Sequence, residues 1–157
     1  MNLRGGVACF GMAAAIVAGT AFSQSPANAA FDAALAKKTG ADEHGMRHYV
    51  LVILKTGPKR MPEGRARDAM FAGHFANIRR PAKDGKLVLA GPFGDDPEHW
   101  RGLFLFAVPD VAEAKRLTAT DPVIRSGEMT AEYHAWYGSA AAMLLPELHE
   151  RVAAKPF

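Results

Sequence analysis

Two strand-like runs in this 157-residue chain are apolar in both alternating registers, and that double pattern limits its folds more than any other feature. In Tyr49-Val50-Leu51-Val52-Ile53-Leu54, the set Val50, Val52 and Leu54 points one way and Tyr49, Leu51 and Ile53 the other. In the run from Leu103 to Phe106, Leu103 and Leu105 oppose Phe104 and Phe106. A strand with one wet face carries polar residues at every second place. These strands do not, so the sheet they form must be covered on both faces.

One cover is supplied by helices. Arg65 to Arg80 places Phe71, Phe75 and Ile78 on one face at three- and four-residue spacings, and Pro81 with the Lys83-Asp84-Gly85 turn is expected to stop it. Lys86 to Pro92 reads as a second strand, Arg101 to Val108 as a third, and Asp110 as the cap of a second helix through about Thr118. Asp121-Pro122 marks that helix's exit, Glu128 to Tyr137 reads as a fourth strand, and Ser139 to Ala153 as a closing helix. The order βαββαβ predicts an α+β, ferredoxin-like domain with a four-stranded antiparallel sheet and both helices on one face. For the second face, the expected cover is another copy of the chain in a two-fold homodimer of α/β-barrel type. The extra C-terminal helix folding across that face is the competing cover.

Residues 1–29 are expected to be an export signal: Arg4 gives the positive start, Val7 to Phe22 the apolar run, and Ala27-Asn28-Ala29 small residues for cleavage before Ala30. The run is shorter than the ~20 apolar residues of a spanning helix, and Gly11 and Gly19 interrupt it. Cleavage would remove Cys9, the one cysteine, together with Arg4. Of 19 Lys and Arg, 18 would then face 16 Asp and Glu, a formal charge of +2. The mature chain would have no disulfide, so an ordinary core must hold it. With charge spread along the chain and only short basic clusters, nucleic acid is an unfavoured partner, and after cleavage so is the membrane. Residues 30–46 read as a leader that is disordered or carries one short helix, 47–138 as the domain, and 139–157 as a C-terminal helical extension.

Three short pieces carry the candidate chemistry. His74 lies at the edge of the apolar stripe of its helix, Gly91-Pro92 ends a strand, and Asp121 sits at a helix exit. An aspartate that accepts from one imidazole nitrogen fixes the tautomer and leaves the other nitrogen as a proton acceptor. A packed histidine and an Asp turn closed on its own backbone are the plainer alternatives. Phe93 and Trp100 could add contact area to a pocket. His44 and His48 stand four apart but lack a third ligand, so no metal is expected. Asp95 and Asp96 suit a solvated turn better than a cation site, and Tyr133, His134, Trp136 and Tyr137 suit core or dimer contacts better than ligand stacking. No phosphate loop, dinucleotide fingerprint, nucleophile elbow or paired-cysteine motif occurs.

The stretch from His48 to Trp136 resembles the YCII-related (YciI-like) domain. The likeness rests on Phe71-Ala72-Gly73-His74-Phe75 in a helix, a strand ending Leu89-Ala90-Gly91-Pro92, an apolar strand after a glycine, and a helix leading into Asp121-Pro122. It implies a ferredoxin-like dimer whose active site centres on a histidine and an aspartate, here His74 and Asp121. Members of the family include a branch described as removing chloride from chlorinated hydroxyquinones, and its fold is similar to that of muconolactone isomerases. The export signal, the C-terminal helix and the loop Asp95-Asp96-Pro97-Glu98-His99-Trp100 are departures from its pattern. The expectation is therefore an exported, homodimeric enzyme with no cofactor, using His74 and Asp121 for elimination or isomerisation of a small molecule. The alternatives are a module that binds a small ligand without turnover and a purely structural dimer.

Overall fold

A computed structural model of the chain describes residues 30–95 and 99–155. The export signal expected over 1–29 and Asp96 of the turn lie outside the described residues.

The leader carries one short helix, α1 (Ala33–Thr39), capped by Asp32, which accepts from Leu35 N at 2.9 Å, and ended by Gly40 at φ 67°. After it, β1 (Met46–Thr56) is the longest apolar strand and takes a central place in the sheet. The rest of the order is α2 (Arg65–Lys83), β2 (Leu87–Pro92), β3 (Trp100–Phe106), α3 (Val111–Thr118), α4 (Pro122–Ser126), β4 (Met129–Ser139), a 3-10 turn (Ala140–Leu144) and α5 (Leu145–Val152). Spatially the strands run β2-β3-β1-β4, every neighbouring pair antiparallel.

Cross-strand register explains the double apolar pattern. Val50, Val52 and Leu54 stand opposite Phe106, Phe104 and Gly102, and this face packs against Met70 and Ile78 of α2, Ala114 of α3 and Val123 of α4. On the other face Tyr49, Val88 and Leu105 form a second cluster, and Ala142 and Met143 of the 3-10 turn pack on it. The Tyr49 hydroxyl donates to Ser139 O at 2.9 Å and ties that turn to β1. Over this part of the sheet the cover comes from the chain's own C-terminal segment.

The expected α/β-barrel is corrected by this topology. The sheet is an open four-stranded layer whose edges, β2 and β4, do not pair with each other. Closing a barrel needs more strands, tilted and staggered until the two edges meet. Here the C-terminal segment also occupies part of the face that the barrel arrangement assigned to a second copy.

Three local expectations also change. Helix α2 continues through Pro81 to Lys83, because a proline in the last turn forfeits one hydrogen bond near an end where bonds are running out anyway. The closing helix is split at Leu144/Leu145. Pro146 has no N–H to give Ala142, so it suits the opening of a new helix and not the middle of a continuous one. Asp121-Pro122, expected as an exit, opens α4: the Asp121 side chain accepts from Val123 N at 3.1 Å, Pro122 takes the first helical position, and Gly127 at φ 81° ends the helix.

Candidate active site

Helix α2 turns Met70, His74 and Ile78, at successive four-residue steps, into the sheet. His74 is thereby held among aromatic rings: Phe71 lies edge-on at 6.1 Å between centroids, Phe75 at 5.6 Å and Phe104 of β3 at 6.2 Å. The residue before it decides what else can approach. A Cβ at Gly73 would stand 2.8 Å from Pro122 Cγ, well inside carbon contact distance, so only glycine lets α4 lie this close to α2.

That close approach brings Asp121 to His74. Asp121 Oδ2 lies 2.8 Å from His74 Nδ1, although the two residues are 47 positions apart in the chain. A carboxylate has no proton to give, so Nδ1 carries the hydrogen and donates it. With Asp121 shielded completely and the His74 side chain 9% exposed, water does not compete for this bond. Asp121 uses its other oxygen, Oδ1, to cap α4. Both carboxylate oxygens are thus committed, and the ring orientation is set by a group that is itself fixed to the backbone.

Asn77, three residues after His74, extends the arrangement. Its Nδ2 reaches Asp121 Oδ2 and Leu117 O, both at 3.4 Å, while its Oδ1 accepts from Arg80 Nη2 at 2.9 Å and Thr120 Oγ1 at 2.8 Å. Asn77 is not among the residues that the sequence pattern singles out. A polar side chain one turn from a candidate histidine was the available signal.

A cavity of about 350 Å³ opens beside His74, lined by side chains and backbone of α2, β2, β3 and the strand ends near Met129. Gly91 and Pro92 line it, as does Ala90. At Gly91 an added Cβ would meet no atom within 4 Å, so chain packing does not demand glycine there. Phe93 and Trp100 lie elsewhere: their rings pack together at 5.3 Å and line a neighbouring polar recess with Thr56, Asp95 and His99. Arg101 lines both hollows. His74 Nε2 makes no hydrogen bond to any described residue, so it is the ring nitrogen left for a ligand.

One buried ion pair braces the wall. Glu128, with its side chain fully shielded, accepts from Met61 N at 2.7 Å and pairs with Arg67 Nη2 at 2.9 Å. The Met61 N–H chiefly holds its carboxyl below the usual range; burial opposes this and Arg67 adds to it. Arg67 in turn lies 4.8 Å over the ring of Phe71, which lines the cavity. The remaining candidates stand apart. His44 sits beside Glu43 at 3.6 Å, and His48 packs on Tyr137. Among the described residues no group of three His, Cys, Asp or Glu is placed to hold a metal ion. On β4, Trp136 packs on Tyr49 at 5.5 Å, His134 pairs with Glu132 at 3.0 Å, and Tyr133 bonds Thr118 through its hydroxyl.

Comparison with known proteins gives a family and distant likenesses among solved structures. The profile described as the YCII-related domain matches residues 48–136. A solved structure of 5-chloro-2-hydroxyhydroquinone dehydrochlorinase from Burkholderia phenoliruptrix AC1100, in complex with 2,5-dihydroxybenzoquinone, is 20% identical. It covers 56% of this chain and 92% of that one, with a TM-score of 0.43. No curated protein matches.

Proposed function

The chain belongs to the YCII-related domain family, and from that premise we propose that it is an acid-base enzyme acting on a small, ring-sized molecule held beside His74. The observation that carries this reading is the buried 2.8 Å contact between His74 Nδ1 and Asp121 Oδ2 at the wall of a mostly apolar cavity. In this mechanism Asp121 keeps the proton on Nδ1, so Nε2 presents its lone pair to the substrate. Nε2 takes a proton from a carbon next to a carbonyl, and Asp121 stabilises the imidazolium that results. The proton then returns at another atom, giving isomerisation, or the electron pair expels a leaving group, giving elimination. The apolar walls, Phe71, Phe75, Ile78 and Phe104, keep water from competing for the proton and hold a flat ligand by contact. No cofactor takes part in these steps.

The test is exchange of carbon-bound hydrogen for deuterium in a panel of small cyclic carbonyl compounds, followed by NMR with the wild type and His74→Ala. Exchange or conversion by the wild type that the variant lacks is the expected result. Ligand binding retained by both proteins, with turnover in neither, would reduce the site to a binding module.

Two further parts of the proposal concern state and place. Exposed Leu89, Leu145 and Leu148 support self-association of two copies, to be tested by light scattering of the wild type against Leu148→Glu. The charged start and apolar run of residues 1–29 support export, tested by the N-terminal sequence of protein recovered outside the cytoplasm.

A further inference from the structure

Twelve residues line the cavity beside His74, and Arg101 is the one among them with a permanent charge. Apart from His74 and Arg101, the lining is apolar or glycine. A guanidinium at an apolar wall loses hydration and needs an anion in exchange. Yet the guanidinium of Arg101 forms no hydrogen bond or ion pair with any described residue. Glu128, a buried carboxylate that feels the charge of Arg101, is already bonded to Met61 N and Arg67. The chain's own local geometry sets the residue apart as well. Between β1 and β3 the register shifts at Leu54/Lys55: Leu54 pairs with Gly102 and Lys55 with Trp100, so Arg101 is the extra residue of a β-bulge. Bulges of this kind re-aim a side chain at the rim of a site.

We propose that Arg101 is the substrate-recognising residue of this cavity, and that the substrate enters as an anion, an apolar ring-sized body carrying one carboxylate or acidic enol oxygen. This rests on the acid-base reading of His74 and narrows its substrate class. The cavity volume of about 350 Å³ suits one ring. With the anionic oxygen paired to Arg101 at one wall and the ring against the phenylalanines, the carbon skeleton lies between a fixed positive charge and the His74 imidazole. Arg101 also faces the polar recess of Thr56, Asp95 and His99, so the charged end of the ligand would sit at the junction of the two hollows while the apolar end fills the dry one.

The experiment uses benzoate and its neutral counterpart benzamide as probes, titrated into the whole protein, wild type and Arg101→Gln, with the imidazole resonances of His74 followed by NMR. An ion pair in a partly dry site is worth about ten- to hundredfold in affinity, so benzoate should bind the wild type at least about tenfold more tightly than benzamide. Arg101→Gln should erase that preference, and Arg101→Lys should restore part of it. Thermal melting of each variant shows that the fold is retained. Equal binding of the two probes, a preference that survives in Arg101→Gln, or binding of neither at millimolar concentration overturns the proposal. Charge preference without any movement of the His74 resonances would keep Arg101 and sink the acid-base reading. Movement of those resonances without charge preference would do the reverse.

Discussion

Gly73→Ala separates stability from site geometry. In an exposed helix interior, alanine in place of glycine stabilises by about 1 kcal/mol. Here the new Cβ would stand 2.8 Å from Pro122 Cγ. Carbon atoms settle at about 3.5–4.0 Å, so the gap between α2 and the start of α4 must open by about 1 Å. Overpacking of this kind costs about 1–3 kcal/mol. The two terms nearly offset, and the variant should lose about 0–2 kcal/mol in urea unfolding. The site has no such compensation. Asp121 is bonded to α4 as its cap and moves with Pro122, so its 2.8 Å bond to His74 stretches past hydrogen-bonding range. Acid-base catalysis by an oriented side chain contributes about 10²–10⁴-fold, and loss of the orienting bond should remove a large part of that. The paired assays are urea unfolding and the Nδ1-bound proton resonance of His74, with turnover of any substrate found by the exchange screen. A Gly73→Ala protein stabilised by about 1 kcal/mol, with the His74 resonance unmoved, would refute the reasoning.

Other perturbations probe other parts. Asp121→Asn keeps an acceptor for Val123 N, so melting should change by only a few degrees, while its amide can donate to Nδ1 and reverse the tautomer. Turnover should fall by about 10²–10⁴-fold, and an unchanged rate would remove Asp121 from the mechanism. Glu128 has its carboxyl held low by the Met61 N–H and then by Arg67. The stability it adds is therefore complete above the unfolded-state value of about 4.3 and is lost as pH falls through the lower folded value. Glu128→Ala should cost about 3 kcal/mol at neutral pH and flatten the acid limb of the urea stability profile; an acid limb as steep as the wild type's would contradict this. Met143→Ala opens the second face over Tyr49, Val88 and Leu105. Because Met143 is only partly buried, unfolding experiments should show a loss of about 1–2 kcal/mol, and no loss would mean that the 3-10 turn is not what covers that face.

Periodicity and cap residues determined the order of the four strands with α2 and α3, because apolar spacing and the type of a capping residue are local properties of the chain. Periodicity also determined that the sheet needs cover on both faces, since no residue of Val50 to Leu54 or Leu103 to Phe106 tolerates water at alternate places. His74 and Asp121 were legible as candidates because their residue types and their places at a stripe edge and a helix boundary are local features too. What covers the second face was not legible: Ala142 and Met143 compete with any second copy through contacts more than thirty residues distant in sequence. Neither was the start of a helix at Asp121, where the side chain caps α4 and orients His74 at once. Gly73, Asn77 and Arg101 acquire meaning only in three dimensions: from the Pro122 ring against one, the Asp121 carboxylate beside another, and a strand bulge under the third. Sequence sets which residues are apolar, ionisable or small. The distances of a few ångströms that make a base, a cap or a charge site arise only when remote segments pack.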